Sequence, residues 1–466
     1  MSSNLGGDVR WWQGSSHDTR RLQAGYAGVL YLPAMSISTH AAPAAATRRG
    51  RVSGIAEGMV GSEILKIAAD VRALAASGRD ICNLTVGDFS PSEFRIPELL
   101  EQGIIDALRR GETNYPPSDG TLPLREAVCS LYRRELGFTP DLASVIVTGG
   151  SRPGIYATYR ALLDPGDRVV YPTPSWNNNH YVHIVGARGT CIPCDAADRF
   201  LPTRKSLGQS LRGARLLALC SPLNPSGTAF TAQALREICE MVVEENARRE
   251  PGERPLYIMY DQVYWTLTFG DTRHEHPIGV CPDVAPFTIY VDGISKAFAA
   301  TGIRVGWIVA PADLAAPMSG LLGHVGAWAP KAEQSAVASL LGDDVAMRSY
   351  RAQIVAGVRE RLDLLYTGIG TMRSARCQVE VLAPEGAIYL SARFGLTGRR
   401  APDGTVLATD EDVRAYLLSA AGVAIVPFQA FGVTDDSGWY RLSVGAVSPE
   451  QIMRMLPRLR DAIEAL

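Results

Sequence analysis

In the stretch VDGISKAFAATGIRVGW, Lys296 stands just past an apolar run, with Ser295 before it and Arg304 eight residues on. Most lysines are solvated surface cations. At the exit of a buried strand, however, desolvation disfavours the charged form and leaves an amine able to attack a carbonyl. Such an amine suits a Schiff base. Arg304 lies within the apolar string GIRVGW, where an unpaired guanidinium would be costly. The expectation there is a buried arginine with an anion against it, either a phosphate or a structural carboxylate.

Other reactive residue types fall at the ends of similar runs. YIMYDQVYW puts Asp261 at the end of an apolar segment and Tyr264 three residues later. A carboxylate so placed can keep a pyridine nitrogen protonated, and a phenol beside it can hydrogen-bond a ring oxygen. Asn224, in CSPLNPSG, can do the same from a third run, although Asn-Pro-Ser-Gly read alone is a turn. In VTGGSRPGIYATYRALL a strand meets a helix through Gly149, Gly150 and Ser151, so that backbone N–H groups and a hydroxyl form a general anion site. Trp176, in PTPSW, offers an indole either to a flat ring or to the core.

These groups need strands to carry them. Between about 95 and 345, the runs SVIVTGG, DRVVYPT, ARLLALCSP, PLYIMYDQVYW, FTIYVDGIS and GIRVGWIVAP read as buried strands, and segments such as QALREICEMVVEENARR read as helices between them. Alternation on this scale predicts an α/β fold, with a mostly parallel sheet sandwiched by helices and ligand groups gathered at strand C-terminal ends. Before it, Ile64, Leu65, Ile67, Ala68, Val71 and Leu74 recur at helical spacing up to Gly78, and ICNLTVG reads as a short strand. After about 345 a long amphipathic helix (345–368), the strands AIYLSARF and YRLSVGA and a closing helix (449–464) suggest a smaller α+β domain. The division expected is 1–50 as a disordered extension, 51–95 as an N-terminal segment joining the smaller domain, 96–345 as the large domain and 346–466 as the rest of the small one.

The composition narrows the partners. With 466 residues, 46% of them hydrophobic, there is material for one large core and a smaller one. Forty-six Lys+Arg against 48 Asp+Glu leave no electrostatic footprint for nucleic acid or an anionic membrane, and no apolar run approaches the roughly 18 residues of a membrane span. A soluble, cytoplasmic protein acting on small molecules is expected. Cys191 and Cys194 form a CxxC without a second pair at zinc-finger spacing, which reads as ordinary strand or loop, with no metal site. Arg20 and Arg21 before AGYAGVLYLPA and AAPAAA loosely imitate an export signal. An Ala/Ser/Pro-rich extension, or upstream sequence ahead of a start at Met35 or Met59, is the preferred reading of that stretch.

Taken together, the motifs resemble those of fold-type-I pyridoxal-phosphate-dependent aminotransferases, the class I/II aspartate aminotransferase superfamily and its bacterial members. NYPPSDGTLPLREAV is similar to the family's Tyr-x-x-x-x-Gly-x-x-x-Leu-Arg segment, CSPLNPSG to its Asn-Pro-x-Gly turn, YDQVY to its Asp-x-x-Tyr and SKAFAATGIRVGW to its lysine signature. The likeness runs from about 60 to the end. It implies pyridoxal 5'-phosphate as cofactor, Lys296 as Schiff-base lysine and proton shuttle, and Asp261 on the ring nitrogen. Asn224 and Tyr264 would bind the ring oxygen, and Trp176 would stack on the ring. Gly150, Ser151, Ser295 and Arg304 match phosphate contacts, and Tyr115 matches a tyrosine that reaches the phosphate of the neighbouring subunit in a homodimer with shared active sites. Arg441, in YRLSVG, matches the fork that grips the substrate α-carboxylate, and Gly87 a glycine whose backbone approaches it. Gly293 departs from the pattern, since the family often has a serine there.

The activity implied is transfer of an amino group from an amino acid to a 2-oxo acid such as 2-oxoglutarate. Some bacterial aspartate aminotransferases resemble the Gly149–Arg152 turn but carry a lysine that faces a distal carboxylate. Arg152 in that role would favour aspartate-like donors; its alternative is a phosphate or solvent contact. Rival readings on the same scaffold are a β-lyase or a cyclopropane-carboxylate-synthase-like enzyme. A cofactor-binding sensor domain of a transcription regulator would need a DNA-binding module that residues 1–50 are too short and weakly basic to supply.

Overall fold

Leu217, Leu219, Ile258 and Tyr260 point into one hydrophobic core, and their neighbours Leu216, Ala218, Tyr257 and Met259 point into another. Alternate residues of a strand face opposite sides of a sheet, so these segments read as unbroken apolar runs because both faces are covered. The computed structural model describes residues 52–59, 63–76, 78–372 and 378–466. The extension expected at 1–50 lies outside the described residues.

The first strand, β1 (Cys82–Asn83), is followed by β2 (Val145–Thr148), β3 (Arg168–Thr173), β4 (Arg188–Pro193), β5 (Leu216–Cys220), β6 (Tyr257–Asp261), β7 (Thr288–Gly293) and β8 (Gly306–Val309). β2 to β8 form a seven-stranded sheet in the order β2-β8-β7-β6-β5-β3-β4. β4, β3, β5, β6 and β7 pair in parallel, while β8 is antiparallel to both β7 and β2. Helices Leu122–Glu135, Ala232–Ala247 and Lys331–Gly342 cover one face, and Ser151–Leu162, Asn178–Val185 and Ala312–Val325 cover the other. The fold is α/β with helices on both sides of a mostly parallel sheet.

A second core surrounds an antiparallel sheet ordered β12-β13-β10-β9, built from β9 (Gln378–Val381), β10 (Tyr389–Gly395), β12 (Val426–Pro427) and β13 (Trp439–Ser443), with β11 (Val423–Ala424) pairing β1 in parallel. Helices Asp344–Gly370, Asp410–Ala421 and Pro449–Glu464 pack on it, and Leu84, Phe89 and Phe94 enter the same core. The closing helix begins where Ser448 and Gln451 form a capping box, and Asp410–Ala421 ends at Gly422 with φ 68°, a left-handed stop that favours glycine.

Two elements differ from expectation. ICNLTVG pairs as a strand only over Cys82–Asn83, because Leu84 hydrogen-bonds onward to Ala424 and Ser443 and the chain then leaves toward Lys296. β4 falls outside the six runs read as buried strands: it is an edge strand, largely exposed, and RGTCIP lacks the apolar run of its neighbours. Cys191 lies within it and Cys194 just beyond, both as free thiols. Among the described residues no helix is long and apolar enough to cross a membrane.

Candidate active site

The strand ends converge as an open parallel sheet requires. β7 runs into the short helix Ile294–Ala297, which carries Lys296; β6 ends on Asp261; β5 leads to Asn224, β3 to Trp176 and β2 to Gly149–Ser151. Because β8 is antiparallel, its beginning lies at this same edge and brings Arg304 there. The second core contributes Arg441 from β13 and Gly87 from the loop after β1.

Lys296 is 9% exposed, and its Nζ donates to Gly87 O at 2.7 Å with Asp88 Oδ1 at 3.9 Å. Burial is the main force that brings its pKa down to about 8; Asp88 opposes this, while the charges of Arg441, Arg152 and Arg304 add to it. The Asp261 carboxyl is pushed the other way, to about 6, again chiefly by burial, with a hydrogen bond from the Val263 N–H and the Lys296 charge acting against the shift.

Arg441 is almost fully buried. Its Nη1 donates to Asn224 Oδ1 at 3.2 Å and its Nη2 to Thr85 O at 2.6 Å, while its Nε is buried without a partner. Burial pulls the guanidinium below its ordinary value. A buried charge with a donor to spare calls for an anion. A Cβ on Gly87 would stand 3.0 Å from the Tyr389 hydroxyl and 3.4 Å from Arg441 Nη1, so glycine keeps the backbone close to that fork.

The turn after β2 is one that only glycine allows. Gly150 has φ 90°, and a Cβ there would collide with the Arg304 guanidinium. No side chain caps the helix Ser151–Leu162, which leaves its N-terminus to an anion. Ser151 is its first residue, and Ser295 is buried beside Lys296. Arg304 corrects one expectation: it is exposed, not buried in GIRVGW. Its φ of 61° turns it out of the strand, so that Nη1 donates to Thr301 O at 2.7 Å and Nη2 to Gly149 O at 2.8 Å. Gly293 has a steric reason, because a Cβ would come within 2.8 Å of Gly306 Cα and 2.9 Å of Val305 O.

A buried amine of lowered basicity, a carboxylate at a strand end, an uncapped helix N-terminus and an unsatisfied arginine fit pyridoxal 5'-phosphate and an amino-acid carboxylate. The sequence profile of the family described as Aminotransferase class I and II matches residues 79–459. The chain belongs to this family. The aspartate aminotransferase of Rhizobium meliloti strain 1021 is 32% identical over 409 residues, 87% of this chain and 94% of that protein. The aspartate aminotransferase of Streptomyces avermitilis is 31% identical over 428 residues, 89% of this chain and 95% of its own length. Among solved structures, that of the Rhizobium meliloti enzyme superimposes with a TM-score of 0.82 at 30% identity, covering 89% of this chain and 99% of that one. Thermus thermophilus aspartate aminotransferase with maleate gives 0.77 at 26%, covering 88% and 99%.

This class I/II aminotransferase is a pyridoxal-phosphate-dependent enzyme that uses amino-acid and 2-oxo-acid substrates. Within the chain, Lys296, Gly87, Asn224, Tyr264 and Arg441 form one contact group, and Gly150 and Arg304 form another with Gly149. The guanidinium of Arg152 lies over the Trp176 ring, 4.6 Å from its centroid. Tyr115 stands apart at the surface, 81% exposed, its ring edge-on to Trp328 at 5.4 Å. Sequence reading missed Tyr389, whose hydroxyl is 2.5 Å from that of Tyr264, and Asp88, which accepts from the Thr301 hydroxyl beside Lys296. AIYLSARF registered only as a strand; an aromatic hydroxyl next to a buried arginine carries no spacing signal of its own.

Proposed function

We propose that this aminotransferase takes the amino group of an aspartate-like donor and passes it to a 2-oxo acid such as 2-oxoglutarate. The observation that carries the dicarboxylate preference is Arg152 held over Trp176, close enough for its charge to act on Lys296. With Arg441 it supplies two guanidiniums around one amine, one for each carboxylate of such a donor. The names of the relatives, and the maleate in the Thermus thermophilus structure, support the same reading.

In this reading Lys296 Nζ would hold the cofactor covalently and, once released, would carry the proton from the substrate α-carbon to the carbon on the cofactor side of the shared nitrogen. Pyridoxal phosphate supplies a ring that accommodates the electron pair left by that proton. Asp261 holds the proton on the ring nitrogen, Tyr264 and Asn224 donate to the ring oxygen, and Trp176 flanks the ring. Gly150, Ser151, Ser295 and Arg304 bind the phosphate, and Arg441 with the Gly87 backbone binds the α-carboxylate. Tyr115 is exposed because it serves the phosphate of a second copy, making a homodimer with shared sites. A cytoplasmic location and a smaller domain made of 51–95 and 346–466 complete the proposal.

Arg152→Ala, assayed with aspartate and with alanine or phenylalanine, tests the substrate. Loss of a charge-assisted contact costs about 1.5–3 kcal/mol, so kcat/KM for aspartate should fall about tenfold to a hundredfold while the uncharged donors change little. An equal fall for both donors would assign Arg152 to the cofactor and remove the dicarboxylate preference.

A further inference from the structure

Tyr389 opens β10 and is 1% exposed. Its hydroxyl lies 2.5 Å from that of Tyr264, the two rings meeting edge-on at 5.5 Å. On the other side, the guanidinium carbon of Arg441 sits 4.8 Å from the Tyr389 ring centroid. Two hydroxyls at this distance carry two hydrogens, and only one can lie between them; the other is free for a third group. Which tyrosine keeps the free hydrogen decides what Tyr264 can offer the site.

The surroundings of the pair are unequal. A cation over an aromatic face draws density from the ring and makes its hydroxyl the more acidic, hence the better donor. Arg441 has this relation to Tyr389, whereas the ring of Tyr264 has the Lys296 amine at 6.0 Å. Burial raises both phenols; the Arg441 charge is the foremost influence that opposes it at Tyr389, and acts in the same direction but as the smallest influence at Tyr264.

We propose that Tyr389 is a positioning residue that donates its hydroxyl hydrogen to Tyr264 and so leaves the hydrogen of Tyr264 free to point at the cofactor's ring oxygen. The inference rests on the reading of Tyr264 as the ring-oxygen partner. Accepting one hydrogen bond strengthens the next one donated, so Tyr389 reinforces the grip of Tyr264 on that oxygen. A ring oxygen held in this way competes less well for the proton on the Lys296 nitrogen, and that nitrogen loses its proton at lower pH.

The test is the pH titration of the visible absorption of the holoenzyme as purified, for wild type, Y389F, Y264F and the double variant. Y389F removes one oxygen and keeps the ring beneath Arg441. It is expected to raise the titration midpoint by roughly 0.3 to 1 unit, the equivalent of one hydrogen bond. Y264F should raise it further, and adding Y389F to Y264F should change nothing more. A midpoint unmoved in Y389F, even if the variant melts earlier, overturns the proposal, as does a Y389F shift that persists undiminished in the Y264F background. A midpoint that Y264F leaves in place refutes the role given to Tyr264 instead.

Discussion

Lys296 can act as nucleophile or base only while neutral, and burial brings its pKa to about 8 instead of the usual 10.5. In cofactor-free protein, the rate of covalent uptake of added pyridoxal phosphate should therefore rise about tenfold per pH unit below 8 and level off above it. A rise that continued to the ordinary lysine value would show that the burial of Lys296 does not govern its reactivity. The same shift has a stability consequence. Between about 8 and 10.5 the folded chain binds fewer protons than the unfolded one, so the cofactor-free protein gains stability as pH rises through that window.

At the scale of elements, β7 brings Asp292 and Gly293 to the edge of the site just ahead of Lys296. Asp292 is fully buried, accepts from the Gly293 N–H at 2.7 Å, and lies among Tyr132, Gln262 and Trp307. Burial pushes its carboxyl up to about 7. Below that pH the folded chain keeps a proton that the unfolded chain has already released, so stability should fall as pH rises from about 4 through 7. Urea unfolding midpoints at pH 5 and pH 8 should drop more for wild type than for Asp292→Asn. An equal drop would place the cause elsewhere. Asp292 also shows where sequence reading stops. Buried strands and the residues at their ends were legible because apolar runs and turn chemistry are local. The network behind β7, the Tyr264–Tyr389 pair and the outward turn of Arg304 arise from packing between distant segments. β4 was missed because an exposed edge strand has no apolar run to betray it.

For the whole molecule, the exposed ring of Tyr115 is the feature on which the proposed homodimer depends. Tyr115→Ala should weaken cofactor binding about tenfold, the value of one charge-assisted hydrogen bond. Mixing Y115A subunits with Lys296→Ala subunits should restore activity, because one site of the hybrid then has both Lys296 and the tyrosine of the other copy. Activity no higher than that of the parent variants, or a monomer on sedimentation, would count against shared sites.

That Lys296 carries the cofactor is tested most directly by borohydride reduction of the purified protein with its cofactor bound, followed by peptide mapping. Reduction should abolish the visible absorption and leave a pyridoxyl label on the peptide containing Ser295 and Lys296, with no label taken up by Lys296→Ala. A label on another lysine, or no label at all, would contradict it.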